Sequence, residues 1–387
     1  MQEYYRDTWA EIDLDAITHN VKQIKDLHPT KEIFAVVKAN GYGHGDAEVS
    51  KVAIEAGVSC LAVSGLDEAL RLRQSGIEVP ILVLGMTRLK DVALAAENNI
   101  SLTAHDEVWI NHLVSLPLEK KIKVHLKIDS GMHRLGLMDA NQIQTNFNLL
   151  KTAPMVEVEG IFTHMATADC DKEYLDYQIQ NFKNLISNLD LSGVKYVHLE
   201  NTATLLQKEF DFDHAIRLGI GLYGVNPDAN FIPIDFDLKP ALKLLSNLVQ
   251  VKQIKKGDKV GYGSTYEAKN DEWIGVVPIG YADGWIRLHQ GRCVIVEGHE
   301  CEIVGRVCMD QMMIRLPKQF PMGTTVTLIG DGMPVERVAK EIGTISYEIL
   351  CLISDRVPRV YTQNGKTIAV KKMRAIIPTS INSIHCY

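Results

Sequence analysis

Residues 32–64 read EIFAVVKANGYGHGDAEVSKVAIEAGVSCLAVS, and the fold class follows from this stretch. It opens on an apolar run of strand length, EIFAVVK (Glu32 to Lys38). The segment AEVSKVAIEAG then sets Val49, Val52, Ala53 and Ala56 on one helical stripe and stops at Gly57. A second apolar run, SCLAVS (Ser59 to Ser64), completes a strand–helix–strand unit. That alternation is the signature of a parallel sheet covered by helices.

The rhythm continues outward. Further strands are predicted at VPILVLG (Val79 to Gly85), NISLTA (Asn99 to Ala104), KVHLKID (Lys123 to Asp129) and VEGIFTH (Val158 to His164). KYVHLE (Lys195 to Glu200) and HAIRLGI (His214 to Ile220) bring the number to eight. Helical segments such as LDEALRLRQSG lie between most of them. The expected class is α/β, a (β/α)8 TIM-like barrel over residues 14–235. The turn-rich GLYGVNPDANFIPIDF marks its end. Residues 236–387 change texture to β runs without comparable helices, among them EWIGVVPIG, GRCVIVEG and TTVTLIG, and predict a mainly antiparallel β domain. The segment PVERVAKEIGTISYEIL is read as its one helix, and residues 1–13 as a segment able to add a strand to it.

At 387 residues the chain exceeds the usual single-core size, in keeping with two domains. It is 46% hydrophobic and 23% charged, which argues against extensive disorder. Its net charge of -7 lends no support to nucleic-acid binding. The N-terminus lacks a secretory pattern and no apolar run approaches bilayer length, so neither export nor a membrane partner is expected. Seven scattered cysteines without CxxC fit a reduced, cytoplasmic protein. Cys301, Cys308 and His299 match no common zinc spacing, so no metal is expected.

In such a barrel, chemistry belongs at the C-terminal strand ends. Lys38 ends the first strand. It either snorkels to solvent or, desolvated beside Val36 and Val37, serves as an amine nucleophile. Within HLKIDSGMHRLG, Arg134 either pairs with Asp129 or donates to an oxyanion, while Lys127 has no evident neutralising partner. His164 and His198 read equally as core histidines or as site groups. Arg217, flanked by apolar residues in HAIRLGIGLYG, requires an acceptor unless it reaches water at the strand edge. Asn201, Thr202, Gly219 and Ile220 follow strands seven and eight, where barrels commonly bind phosphate. Tyr262 and Tyr281 read singly as packing tyrosines.

Together these motifs resemble the pyridoxal-phosphate (PLP)-dependent alanine racemases of fold type III. AVVKANGYGHG, LKIDSGMHRLG, THMATAD, the Asn201–Thr202 pair and RLGIGLYG carry the likeness through the barrel. GYGSTY, IGYADGW, GRVCMDQ, SYE and RVPRVY extend it through the second domain. The resemblance implies PLP held covalently by Lys38, with Tyr262, from the partner subunit of a homodimer with shared sites, as the opposite base. It implies cofactor contacts from Arg217 at the pyridine nitrogen and from Tyr42, Thr202, Gly219, Ile220 and Tyr347 at the phosphate. Arg134 is implied near the phenolic oxygen, Met309 at the substrate carboxylate, and His164 beside the tyrosine and Arg217. Lys127 resembles the lysine that some members carbamylate to orient Arg134. Asp169, Tyr281, Arg287 and Arg306 resemble entrance residues. Two departures stand out: Thr202 replaces a frequent serine, and Trp285 follows IGYADG where tyrosine is common, with an altered entrance as the expected effect.

The implied activity is interconversion of L- and D-alanine, supplying D-alanine for peptidoglycan. An arginine at the ring nitrogen already holds its protons, so it leaves that nitrogen largely unprotonated and limits leakage into transamination. Three rival readings stand beside it: a racemase of serine or a broader amino-acid set, a decarboxylase on a related barrel, and a non-enzymatic PLP carrier. An acidic partner at the ring nitrogen would favour the decarboxylase. Carriers usually lack the β domain.

Overall fold

The computed structural model describes residues 4–207 and 210–372. The chain divides into two compact units. A barrel unit comprises Asp13–Leu242 and Ser346–Cys351; a β unit comprises the residues up to Ile12, Lys243–Ile345 and those from Leu352 onward.

After the first strand of the chain, β1 (Thr8–Asp13), come the eight barrel strands. They are β2 (Glu32–Val36), β3 (Cys60–Val63), β4 (Ile81–Val83), β5 (Ile100–Ala104), β6 (Ile122–Lys127), β7 (Val156–Phe162), β8 (Tyr196–His198) and β9 (Ala215–Leu218). All seven pairings along this sheet are parallel, in the order β8-β7-β6-β5-β4-β3-β2-β9. The ring is closed between β8 and β9 by His214 N–H to Val197 O at 2.8 Å and Arg217 N–H to Glu200 O at 3.0 Å. Each apolar run in the sequence is thus a barrel strand; most are trimmed at their ends, while β6 and β7 begin one and two residues earlier than predicted. Phe34, Cys60, Leu82, Tyr196 and Ala215 pack together within the barrel.

Two boundaries differ from the sequence reading. The barrel unit runs on from 235 through Leu242 because that segment is stitched to the first helix, Leu14–Leu27. Asn20 Nδ2 donates to Lys239 O at 2.9 Å and Asn20 Oδ1 accepts from Lys239 N at 2.8 Å, while Ala241 N donates to Tyr223 O at 3.0 Å. The helix expected to lie wholly in the β domain is two helices, Val335–Ile342 and Ser346–Leu352. Most of the second belongs to the barrel unit, where Tyr347 meets the Tyr42 ring at 6.0 Å.

In the β unit, β1 lies between Leu242–Asn247 and Arg359–Gln363 in a ten-stranded sheet of the described residues. The pairings among its strands other than β1 are antiparallel, for example Gln250–Ile254 with Glu272–Val277 and Cys293–Val296 with His299–Val304. Val260, Ile274 and Val304 form one apolar cluster there, joined by Tyr266 and Met313.

Candidate active site

Lys38 stands half-buried where the first barrel strand ends. The four residues after it, Ala39, Asn40, Gly41 and Tyr42, all have left-handed backbone, with φ of 52°, 54°, 61° and 47°. Such a turn costs about 1–2 kcal/mol at each non-glycine residue. Its hydrogen bonds offset that cost: Gly41 N donates to Val37 O at 2.9 Å and Gly45 N to Asn40 O at 2.8 Å. Glu68 clamps the turn as well, accepting from Ala39 N and Ser64 N, both at 2.7 Å. Burial first, and the Arg134 cation second, pull the Lys38 amine below the ordinary lysine value. A half-buried amine with a lowered pKa gives up its proton more readily than a solvated lysine, the property an amine nucleophile requires.

Arg217 is buried, 2% exposed, with a nearly filled donor set. Nη1 donates to His198 Nδ1 at 2.8 Å; Nη2 donates to Thr163 O at 2.9 Å and Leu199 O at 3.0 Å, with His164 Nδ1 at 3.3 Å. Among the described residues the Nε–H has no acceptor. Burial lowers the Arg217 pKa to about 10, which leaves it a cation at neutral pH. His164 is driven well below its usual value by burial, then by Arg217, Lys127, Arg134 and Lys38, so it is a neutral ring amid cations.

Lys127, 7% exposed, donates to Ile128 O at 3.2 Å and lies 4.8 Å over the Phe162 ring. Burial and Arg217 hold its amine well below the usual range. The choice left open for Arg134 resolves through the backbone. Asp129 accepts from the N–H groups of Gly131 at 2.9 Å, His133 at 3.0 Å and Arg134 at 3.1 Å. The carboxylate therefore ties the loop and leaves the exposed guanidinium without an ion pair among the described residues.

At the ends of β8 and β9, the Thr202 hydroxyl accepts from Gly219 N at 2.9 Å and keeps its own O–H to donate. The Gly219 N–H is thus taken up by Thr202, whereas the Ile220 N–H has no acceptor among the described residues. A Cβ on Gly219 would sit 3.4 Å from both Thr202 Oγ1 and Tyr42 Oη, so these hydroxyls converge on the same point. Tyr42 is buried beside Tyr223 at 5.0 Å, with its phenol pKa raised by burial. Asp169 is half-buried and close enough to Tyr347 to raise its phenol pKa further, after burial itself.

The β unit holds the remaining residues. Tyr262 is 73% exposed and lines an open depression of about 820 Å³ together with Lys259, Gln311 and Met313. Its turn is glycine-bound: Gly261 and Gly263 have φ of 75° and 71°, and a Cβ on Gly263 would meet Arg306 Nη1 at 3.1 Å. The Gly280–Ala282 turn lies tightly on the loop that holds Met309, between the strands His299–Val304 and Met312–Leu316; a Cβ on Gly280 would fall 2.4 Å from Met309 O. Ala282 N occupies that carbonyl at 3.0 Å, while Met309 N–H has no acceptor among the described residues. Tyr281 and Arg287 are exposed nearby in sequence, but Trp285 is not an entrance residue: it is 3% exposed and stacks on His289 at 3.8 Å. Asp283 and the RVPR arginines are architectural. Asp283 binds Arg6 at 2.5 Å, and Arg359 donates to Ser354 O, Val357 O and Ile353 O.

The barrel unit thus gathers Lys38, Lys127, Arg134, His164 and Arg217 at one end, with free N–H and O–H donors beside them. Sequence reasoning missed Glu68, His125 and Glu159, which support this set. Strand alternation was the available signal for His125, since it shares a face of β6 with Lys127. The donor set fits PLP: an amine for its aldehyde, an arginine N–H for its ring nitrogen, and hydroxyl and amide donors for its phosphate.

Comparison with known proteins agrees. Residues 12–227 match the family model "Alanine racemase, N-terminal domain" and residues 241–361 match "Alanine racemase, C-terminal domain". The chain is 45% identical to alanine racemase 1 of Bacillus subtilis, over 95% of this chain and 96% of that protein. The crystal structure of alanine racemase from Bacillus anthracis with bound L-Ala-P superposes with a TM-score of 0.91 at 45% identity, covering 95% and 98% of the two chains. Histidine racemase from Leuconostoc mesenteroides is similar at 33% identity and a TM-score of 0.85, covering 94% of this chain and 100% of that one.

Proposed function

The chain belongs to the alanine racemase family, and on that premise we propose which of its residues carry the PLP-dependent interconversion of L- and D-alanine that supplies D-alanine for peptidoglycan. The observation that carries the assignment is the lysine amine at the first strand end, kept deprotonation-prone by burial and Arg134. Lys38 holds the cofactor. Arg217 offers its free Nε–H to the ring nitrogen; Tyr42, Thr202, Ile220 and Tyr347 surround the phosphate, with Gly219 leaving room for it.

PLP, when bound, supplies a conjugated electron sink for the pair left as the alanine Cα–H bond breaks. The residues decide where protons go. The Lys38 amine takes or returns the proton on one face of Cα, serving D-alanine. Tyr262 Oη, contributed by a second copy of the chain, does the same on the other face for L-alanine. Its high exposure on an open depression supports that reading, because the hydroxyl is reachable from outside its own chain. Arg134, oriented by Lys127 once that lysine is carbamylated, stands near the cofactor's phenolic oxygen, and the Met309 N–H binds the substrate carboxylate. His164 holds a neutral ring between Arg217 and the incoming tyrosine. Asp169, Tyr281, Arg287 and Arg306 line the entrance.

No carboxylate faces the Arg217 Nε–H among the described residues, which disfavours the decarboxylase reading. The test is incubation of the holo-protein with L-alanine in deuterated water, followed by chiral analysis. D-alanine carrying deuterium at Cα is expected. PLP binding without exchange, or release of amine and carbon dioxide, would overturn the assignment. The likeness to a histidine racemase favours one further reading, a wider substrate range, and L-serine and L-histidine in the same assay measure it.

A further inference from the structure

Behind Arg217, away from Lys38, a line of polar side chains crosses the barrel interior. Arg217 Nη1 meets His198 Nδ1 at 2.8 Å; His198 Nε2 meets His125 Nδ1 at 2.9 Å; His125 Nε2 meets Glu159 Oε2 at 3.2 Å. Ser101 Oγ donates to the same Glu159 oxygen at 2.6 Å, and Lys123 Nζ lies 3.6 Å from the other. None of these groups except Lys123 is more than 5% exposed.

The direction of every hydrogen in this line is fixed. Arginine only donates, so His198 Nδ1 accepts and its proton sits on Nε2. His125 Nδ1 must then accept, which puts its proton on Nε2, aimed at the carboxylate. Burial lowers the pKa of both rings, so each is the neutral tautomer that this order requires. The barrel is shaped around the line. A Cβ on Gly160 would lie 2.4 Å from His125 Nδ1, so only glycine admits that ring. His198 is stacked on Phe162 at 4.8 Å and 1°, and His125 on Tyr196 at 5.9 Å and 18°.

We propose that His198, His125 and Glu159 are positioning residues that fix the Arg217 guanidinium from behind, so that its Nε–H is the donor turned toward the ring nitrogen. The inference rests on the PLP reading of Arg217 given above. The carboxylate polarises both imidazoles in one sense and makes His198 Nδ1 a stronger acceptor, as buried hydrogen-bond chains do. His198 engages Nη1, and the carbonyls of Thr163 and Leu199 engage Nη2, which leaves the guanidinium plane no freedom to rotate. If His125 is removed, the His198 Nε2–H loses its acceptor. The ring is then free to move its proton to Nδ1, where it would oppose the Nη1–H and turn the guanidinium away.

The experiment has two readouts. In ¹⁵N-histidine-labelled apo-protein, His198 and His125 are expected as neutral Nε2–H tautomers, and His125→Phe is expected to move His198 toward Nδ1–H. In holo-protein, the ratio of pyridoxamine phosphate formed to alanine racemised is expected to rise several-fold in His125→Phe and less in Glu159→Gln, which keeps an acceptor oxygen but loses its charge. Loss of folded sites alone would not change that ratio. A His198 Nδ1–H or imidazolium in the wild-type apo-protein overturns the proposal even if His125→Phe does not fold, as does an unchanged ratio in folded Glu159→Gln and His125→Phe. Expected tautomers in a protein that does not racemise alanine would support the relay and remove the racemase reading instead.

Discussion

A lysine after an apolar strand is common; what distinguishes Lys38 is the left-handed turn that follows it. That turn is costly for Ala39, Asn40 and Tyr42, yet it removes the next residues from the strand path and leaves the amine at the barrel mouth. Because the Lys38 pKa is lowered, the neutral amine fraction grows with rising pH through a midpoint below the ordinary 10.5. Apo-protein should therefore capture PLP progressively faster as pH rises, reaching its plateau earlier than a free lysine would. Absorbance at the Schiff-base band across a pH series measures this. Lys38→Ala should abolish the band and nearly all turnover; retention of both would move the nucleophile elsewhere. The sequence exposed Lys38 and Arg217 because each charge interrupts an apolar run. It concealed Glu159, whose partners His125 and Ser101 lie on other strands, while the weaker signals of strand alternation for His125 and of cap spacing from Gly65 for Glu68 went unread.

At the scale of an element, the loop after β6 is held by one side chain. Asp129 accepts three consecutive-loop N–H groups while Gly136, at φ 120°, lets the chain fold back. A Cβ there would lie 2.7 Å from Asp129 N. Burial alone would raise the Asp129 pKa; the donors from His133 and Gly131 more than offset it and bring it below 3.8. With the folded pKa depressed, this stabilisation is complete above the ordinary carboxyl value and is lost as pH falls through the lower, folded one. Asp129→Asn, which keeps one acceptor oxygen and removes the charge, should loosen residues 131–134 by about 1–2 kcal/mol at neutral pH. Amide exchange of those residues measures it, and the difference from wild type should shrink in acid. An equal difference at all pH values would assign the loop's stability to something other than this carboxylate. Of the two readings of Arg134, the side-chain pair with Asp129 does not form; the carboxylate takes the Arg134 backbone N–H instead. The spacing put the acid within reach of the loop, but backbone amides outcompete a flexible guanidinium for it.

For the molecule as a whole, the periodicities of 3.6 and 2 separated the barrel strands from the β unit, since buried parallel strands and antiparallel runs differ in composition. They did not disclose that Ser346–Cys351 returns to the barrel unit, because its apolar residues fit a helix in either place. The central claim joins residues of the two units in different copies of the chain: Lys38 from one, Tyr262 from another. Lys38→Ala and Tyr262→Phe proteins should each be nearly inactive alone. Subunit exchange at equal amounts should place half the chains' pairs in mixed dimers, each with one intact site, and restore about a quarter of wild-type racemisation. No recovery after exchange has been verified by mass would contradict a site shared between subunits and, with it, the two-base account.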